Sequence, residues 1–204
     1  MKILLSAFEP FGGEKINPAL ETMKGVANKI NGHDILKLEI PTVFHKASTI
    51  IVEKMKEIDP DIVLSLGQAG GRSGITVEFV GINWMDARIP DNEGNQPLGE
   101  KICHDGENAY FSNIPGKAIV EELNQQDIPS KISYTAGTFV CNEVLYNTLY
   151  YIQKNKMKTK AGFIHLPYSV EQIKEKAEDR AYMKKEDMIH GIEIAIDVIG
   201  NNIE

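Results

Sequence analysis

Apolar residues recur along this chain in two alternating patterns. Short, nearly continuous apolar runs have the length of buried strands, and longer segments carry apolar residues at helical spacing. In the first half these patterns predict strands at residues 2–7, 34–43 and 61–66, and helices at residues 18–30 and 46–58. Asn17 and Pro18 favour the start of the first helix, and Pro60 ends the second.

The second half continues the alternation. Its patterns predict strands at residues 75–80, 131–134 and 160–166, and helices at residues 115–125, 142–155 and 186–199. Because alternating strands and helices require crossover connections, we predict an α/β fold, with three α/β/α layers around a mostly parallel, twisted central sheet. We expect residues 1–204 to form a single domain. The polar, turn-rich residues 86–106 are predicted to form a functional loop.

The composition, 42% hydrophobic and 25% charged, is typical of a globular protein. No apolar run approaches the roughly 20 residues of a membrane span, and residues 3–5 are too short a run for a signal-peptide core, so we expect a cytoplasmic protein without a membrane partner. The net charge of -7 argues against a nucleic-acid partner and favours a small, neutral or cationic substrate. Cys103 and Cys141 lack the spacing of a disulfide framework or a metal site, which predicts reduced thiols.

Cys141 lies in the stretch around which the chain is most simply interpreted. Residues 135–142 join a predicted strand to a predicted helix, so the thiol is expected in the first helical turn. Unpaired N–H groups and the helix dipole favour a thiolate there, which predicts a thiol pKa lowered by about one unit. The alternative is an inert core cysteine, since Phe139, Val140 and Val144 flank it.

A thiol nucleophile needs a histidine to take its proton and a group that orients the imidazole. Among the five histidines, His165 ends a predicted buried strand, where catalytic groups of open α/β sheets gather. Its alternative role is that of a hydrogen-bonded core residue. Glu78 lies inside an apolar strand pattern, so its carboxylate is expected either on the solvent face or paired with another group.

Two other motifs are rejected as functional sites. The glycine-rich residues 67–74 have neither the dinucleotide-binding spacing nor the phosphate-loop spacing, and a predicted strand follows where those motifs need a helix. They do not form a serine-hydrolase elbow either, because Gly74 directly follows Ser73. Adjacent Cys103, His104 and Asp105 cannot complete one coordination sphere, so no metal site is predicted.

Several motifs together resemble one family. They lie at residues 8–13, 17–18, 70–73 with Glu78, 86–92, 136–142 and 162–168. On these residues the chain resembles the pyrrolidone-carboxylate peptidases, the type I pyroglutamyl peptidases, from residue 2 to about residue 168. The resemblance implies Cys141 as nucleophile, His165 as general base and then acid, and Glu78 as the group that orients the imidazole. It also implies a cytosolic cysteine exopeptidase, assembled as a homotetramer, that removes an N-terminal pyroglutamyl residue from peptides through a thioacyl-enzyme intermediate and without a cofactor.

Pyroglutamate is an uncharged lactam, so its site should be apolar with one hydrogen-bond donor and one acceptor. Phe8 and Phe11 are predicted to sandwich the ring, and Gln68 to bind the lactam group. The other predicted substrate-binding residues are Asn17, Phe139 and Val140. Arg88, with the backbone N–H of Cys141, is predicted to hold the oxyanion. The alternative role of Arg88 is a salt bridge that fixes the long loop.

The chain departs from the family pattern at Ala7, Phe79, Trp84 and Met85, none of them a predicted catalytic position. Two other functions stay open at this point. Doubly wound folds also host nucleoside phosphorolysis, and a non-catalytic binding protein would keep the pocket without turnover.

Overall fold

The computed structural model describes residues 1–174 and 180–202. Within these ranges the helices are α1 (Pro18–Gly25), α2 (Lys46–Ile58), α3 (Gly116–Gln125), α4 (Val140–Lys154), α5 (Val170–Lys174) and α6 (Lys185–Asn201). The strands are β1 (Lys2–Phe8), β2 (Lys29–Ile30), β3 (His33–Ile40), β4 (Ile62–Gln68), β5 (Ile75–Glu78), β6 (Val80–Ile82), β7 (Met85–Asp86), β8 (Leu98–Glu100), β9 (Ala109–Phe111), β10 (Ser130–Ser133), β11 (Lys160–Leu166), β12 (Tyr168–Ser169) and β13 (Tyr182–Met183). No helix in these ranges has the length and apolar character that a bilayer crossing requires.

Seven strands form the central sheet, in the order β10-β5-β11-β4-β1-β3-β2. The pairs β11–β4, β4–β1 and β1–β3 are parallel, whereas β5 is antiparallel to β11 and parallel to β10. The predicted α/β class with a mostly parallel sheet is confirmed. The antiparallel β5 is not evident from the sequence, because alternation alone gives no strand direction.

Helices cover both faces of this sheet. One apolar core joins α1, α3 and α6 to one face, and its buried side chains include Leu20, Leu123 and Ile192. The other core joins α2 and α4 to the opposite face, with Ile51 and Val144 among its buried side chains. Because helices cover both faces of the sheet, a central strand such as β4 is buried along nearly its whole length and is apolar at most positions.

The first predicted helix is wrong in length, since α1 ends at Gly25 and not at residue 30. A Cβ atom at Gly25 would lie 2.3 Å from the Ile189 side chain, so glycine allows the end of α1 to approach α6. The chain then forms the short edge strand β2, which pairs with β3. Tertiary contact with α6 and the sheet edge therefore ends a helical pattern that local spacing would continue.

Two further predictions change in detail. The strand predicted at residues 75–80 is divided at Phe79, after which β6 leaves the central sheet and pairs with β9. The predicted loop at residues 86–106 contains β8, which pairs with β7. Residues 170–185, for which no element was predicted, carry mixed charges and contain α5 and β13; residues 175–179 lie outside the described ranges.

Candidate active site

Cys141 is the second residue of α4, which begins at Val140 and not at residue 142, and its predicted place in the first helical turn is confirmed. The preceding Phe139 is extended, and its carbonyl accepts hydrogen bonds from the backbone N–H groups of Asn142 (3.1 Å) and Glu143 (3.2 Å). The Asn142 side chain fixes this helix start: its Oδ1 accepts from the N–H of Ile82 at 2.9 Å, and its Nδ2 donates to the Ile82 carbonyl at 2.9 Å. The first turn of α4 is therefore anchored to the segment that follows β5.

Gly67 allows the thiol to approach the sheet. A Cβ atom at Gly67 would lie 3.1 Å from Cys141 Sγ and 2.8 Å from the Phe163 ring, so a larger residue would displace the thiol. His165 is the register partner of Gly67 in the neighbouring strand β11. Neighbouring strands lie about 4.8 Å apart, so Sγ packs beside the strand pair that carries the imidazole. Cys141 and His165 also line the same cavity.

His165 and Glu78 form a buried pair. The imidazole Nδ1 lies 2.7 Å from Glu78 Oε1, and the two residues are 4% and 0% exposed. Because an ionised carboxylate only accepts hydrogen bonds, Nδ1–H is the donor and Nε2 is left to accept a proton. Antiparallel pairing brings them together, since Glu78 is opposite Phe163, two positions before His165 in β11.

Arg72 completes this pair and was missed by sequence reasoning. Its guanidinium donates to Glu78 Oε1 at 2.6 Å, to the Thr135 carbonyl at 3.2 Å, and to Thr76 Oγ1. A glutamate inside an apolar strand pattern requires a cation or donors nearby, and that signal could have indicated the arginine six residues earlier.

The charges of the site hold Glu78 ionised. Burial raises the pKa of Glu78, but the hydrogen bond and charge of His165, with hydrogen bonds from Ser133 and Arg72, outweigh burial and bring the pKa below its ordinary value. The carboxylate therefore stays negative beside the imidazole at neutral pH.

The predicted direction of the thiol pKa is wrong. Burial, and after it the negative charge of Glu78, raise the pKa of Cys141 to about 12, although Arg72 and the backbone N–H of Cys141 lower it. Desolvation therefore outweighs the helix terminus. The resting thiol is protonated at neutral pH, so a reaction through the thiolate would require proton transfer from the thiol.

A cavity of about 560 Å³ opens above these groups. Four of the seven predicted substrate and oxyanion residues line it, namely Phe11, Gln68, Arg88 and Phe139. The Phe11 and Phe139 ring centroids are 6.1 Å apart, and Phe44 packs edge-on against Phe139 at 5.2 Å. The cavity therefore has one aromatic wall.

The structure places the other three elsewhere. Phe8 is 2% exposed and packs against Phe163 in the core, because it lies on the same face of β1 as Leu4, which α2 and α4 cover. Val140 is fully buried on the core face of α4. Asn17 caps α1, where its Oδ1 accepts from the Ala19 N–H at 3.0 Å, and its Nδ2 donates to the Glu9 carbonyl at 3.2 Å. These three side chains do not line the cavity.

Arg88 is exposed at the cavity rim. No hydrogen bond or ion pair joins its side chain to another described residue, so the alternative salt bridge across the loop is not formed among them. Its guanidinium is available to a ligand in the cavity.

Cys103 lies away from this site. Its thiol donates to Asn147 Oδ1 at 3.1 Å, and burial raises its pKa. Both cysteines are free thiols. Within residues 1–174 and 180–202 no three His, Cys, Asp or Glu side chains are grouped as metal ligands.

Comparison with known proteins gives one consistent result. The family model described as pyroglutamyl peptidase matches residues 1–202. The pyrrolidone-carboxylate peptidase of Clostridium perfringens is 52% identical over 199 residues, covering 98% of this chain and 93% of its own length. Pyrrolidone-carboxylate peptidase 1 of Caldanaerobacter subterraneus is 51% identical, covering 98% of both chains.

Solved structures agree with these matches. The crystal structure of pyroglutamyl peptidase I from Bacillus amyloliquefaciens superposes with a TM-score of 0.94 at 42% identity, covering 100% of this chain and 98% of its own. A mutant pyrrolidone carboxyl peptidase from Pyrococcus furiosus superposes with a TM-score of 0.96 at 38% identity, covering 100% of both chains. The resemblance inferred from the sequence motifs is confirmed: this chain belongs to the pyroglutamyl peptidase family.

Proposed function

We propose that this protein is a cysteine exopeptidase that hydrolyses the bond after an N-terminal pyroglutamyl residue of peptides. The observation that carries the proposal is the 2.7 Å contact between His165 Nδ1 and Glu78, behind a cavity that Cys141 also lines. Family membership supports the same activity. Cys141, His165 and Glu78 are the proposed catalytic residues.

The reaction follows from the protonation states of the resting site. Glu78 holds the imidazole with Nε2 free, so Nε2 takes the Cys141 proton as Sγ attacks the scissile carbonyl. The oxyanion of the tetrahedral intermediate is held by the backbone N–H of Cys141 and by Arg88. His165 then gives its proton to the leaving amine as the C–N bond breaks, which leaves a thioester.

Hydrolysis of the thioester regenerates the enzyme. His165 accepts a proton from the attacking water, the second tetrahedral intermediate collapses, and the proton returns to the departing sulfur. A protonated resting thiol makes His165 a true general base, since no preformed thiolate is stored at neutral pH. No cofactor or metal takes part in this scheme.

The cavity suits an uncharged ring. Phe11 and Phe139, whose centroids are 6.1 Å apart, offer one aromatic wall for the lactam, and Gln68 offers a polar group at the end of β4. A ring that lacks the lactam N–H or C=O would leave its hydrogen-bond partner in the cavity unpaired. Each unpaired group costs about 1–3 kcal/mol, so the cavity would disfavour such a ring. Phe139 thus takes the role first assigned to Phe8.

One assay tests the activity: release of a fluorophore from a pyroglutamyl amide, with and without reductant and iodoacetamide. We expect turnover that iodoacetamide abolishes, that Cys141→Ala removes with the fold intact, and that Cys103→Ser retains. Inactivation by the second substitution but not the first would reverse the assignment. An activity that needs phosphate and survives alkylation would indicate phosphorolysis instead.

We further propose a single catalytic domain over residues 1–204, a cytoplasmic location, no nucleic-acid or membrane partner, and a homotetramer. An exposed aromatic cluster supports self-association: Phe79 is 40% exposed, Phe111 66% and Tyr134 70%. The ring centroid of Phe79 lies 5.1 Å from that of Phe111 and 5.6 Å from that of Tyr134. Grouped exposed aromatics are typical of interfaces. Light scattering should give four chains for the wild type and fewer for Phe79→Glu; one chain for the wild type would contradict the tetramer.

A further inference from the structure

Gln172, a buried residue of α5, forms hydrogen bonds both to backbone groups and to Gln68, which lines the cavity. It is 3% exposed. Its Oε1 accepts from the Ser169 N–H at 3.2 Å, and its Nε2 donates to the Ile16 carbonyl at 3.3 Å and to Gln68 Oε1 at 3.0 Å. Ser169 Oγ accepts from the Gln172 N–H at 3.4 Å, so these two residues form a capping box at the start of α5.

The backbone partners leave the Gln172 amide one orientation. A backbone N–H only donates and a backbone carbonyl only accepts. Rotating the amide by half a turn would set its NH₂ group against the Ser169 N–H and its oxygen against the Ile16 carbonyl. Both contacts would become repulsive, so hydrogen-bond chemistry assigns Oε1 to Ser169 and Nε2 to Ile16.

The orientation of the Gln172 amide also determines that of the Gln68 amide. Because Gln172 Nε2 can only donate, it must meet the oxygen of the Gln68 amide and not its nitrogen. The Gln68 NH₂ group is then directed elsewhere, and in the part of the chain that the structure describes no residue accepts a hydrogen bond from it. Gln68 lines the cavity beside Cys141, so a donor is available to a bound ring there.

We infer that Gln172 is a positioning residue for lactam recognition, which holds Gln68 with its NH₂ group available to the ring carbonyl. The inference rests on the proposed function, because the carbonyl is that of the pyroglutamyl ring. A fixed donor favours a ring that presents an acceptor and disfavours one that presents a donor at the same place. Gln172 touches neither the substrate nor the reacting atoms.

Two substitutions separate this role from simple structural support. Gln172→Glu is nearly isosteric and keeps the acceptor that caps α5, but at pH 8 its carboxylate can donate neither to Gln68 nor to the Ile16 carbonyl. Gln68 would then turn its NH₂ group towards residue 172 and its oxygen towards the ring carbonyl. Gln172→Met loses both the capping acceptor and the donor, and it leaves the Gln68 amide free to rotate.

Binding of 2-pyrrolidone, the isolated lactam, is measured at pH 8 by calorimetry or by competition with the pyroglutamyl amide. We expect Gln172→Glu to weaken binding by roughly 5- to 100-fold and Gln172→Met by less, about 2- to 5-fold. KM for the amide should rise in the same order, with little change in kcat. The rate of Cys141 alkylation by iodoacetamide should be unchanged, since the thiol and imidazole are not affected.

A merely structural role predicts losses that do not depend on Gln68, together with a changed rate of Cys141 alkylation, because a disturbed α5 would disturb the cavity as a whole. A greater loss for Gln172→Met, equal losses, or no loss in either variant would overturn the inference. In a Gln68→Met background, Gln172→Glu should have no further effect on binding, and an undiminished effect would also overturn it. If Gln172→Glu fails to fold, Gln172→Met serves as the test alone. It should weaken 2-pyrrolidone binding without changing the rate of Cys141 alkylation, and unchanged binding would overturn the inference.

The proposed function is tested separately. If the wild-type protein binds 2-pyrrolidone but does not hydrolyse the pyroglutamyl amide, the peptidase proposal fails while the binding comparison stands. If hydrolysis is normal and the two variants bind the lactam as the wild type does, only the role of Gln172 fails.

Discussion

Replacing Arg72 by methionine tests how the buried carboxylate of Glu78 is stabilised. The guanidinium donates to Glu78 Oε1 at 2.6 Å, and the two side chains are 26% and 0% exposed. Removing one partner of a fully buried ion pair costs about 3–5 kcal/mol. Because Arg72 is partly exposed and His165 also binds this oxygen, we expect the free energy of unfolding to fall by about 2 kcal/mol at pH 7, or roughly 4–8 °C in Tm.

The loss should depend on pH in a defined direction. The pKa of Glu78 lies below its ordinary value in the folded protein, so its ionisation stabilises the fold above about pH 4.5, and that contribution disappears as pH falls through the folded pKa. Without Arg72 the pKa of Glu78 rises. The difference between wild type and Arg72→Met should therefore be complete at pH 7 and should shrink below about pH 4.5.

Catalysis should change in the same variant. Without Arg72 the Glu78 carboxylate loses a donor that holds it in place, so it orients the His165 imidazole less firmly for proton transfer. At pH 7 kcat/KM should fall by about 10- to 30-fold, partly because Arg72 also lowers the thiol pKa.

The controls are a charge-conserving and a distant substitution. Arg72→Lys keeps a cation beside Glu78, so it should retain most of the stability and of kcat/KM. Lys54→Met removes the same charge from an exposed pair with Glu57 at 2.8 Å and should cost less than about 0.5 kcal/mol. Urea unfolding between pH 3.5 and 8 and kcat/KM at pH 7 supply the measurements. A stability loss that is independent of pH, together with an unchanged kcat/KM, would refute the role of Arg72 at Glu78.

Three further predictions concern single side chains. Glu78→Gln removes the charge behind the imidazole and should lower kcat by about 10²- to 10⁴-fold with KM retained; an unchanged rate would remove Glu78 from the mechanism. Arg88→Met should lower kcat by about 10²- to 10³-fold if the guanidinium holds the oxyanion, and an effect on KM alone would exclude that role. Burial raises the pKa of Glu143 to about 7 from 4.5, so its ionisation destabilises the fold as pH rises through that range. Glu143→Gln should therefore gain up to about 3 kcal/mol relative to wild type between pH 4.5 and 8 in urea unfolding, and a difference that is constant with pH would contradict this.

Much of the fold and the centre of the site could be predicted from the sequence. Apolar periodicity indicated the α/β class, and the change from strand to helix spacing around residues 135–142 placed Cys141 in the first turn of α4. His165 could be chosen because it ends a buried strand. These features depend on residues close together along the chain, which is where a pattern carries information.

Features that depend on distant segments were missed or misjudged. Glu78 and His165 are 87 positions apart, and their contact arises because β5 is antiparallel to β11. Phe8 was predicted to sandwich the substrate ring with Phe11 but is buried against Phe163, whereas Phe11 and Phe139 line the cavity. The helix-terminus argument gave the wrong direction for the Cys141 pKa, because it did not include the burial that packing imposes.

The sequence by itself determined the class of fold and which groups are candidates for the chemistry. Tertiary structure decided how those groups are charged and oriented: Arg72 beside Glu78, Glu78 on Nδ1 of His165, and Gln172 on Gln68. The physical reason is that desolvation and hydrogen-bond geometry depend on the atoms that surround a group in space. Local spacing along a chain does not specify those atoms.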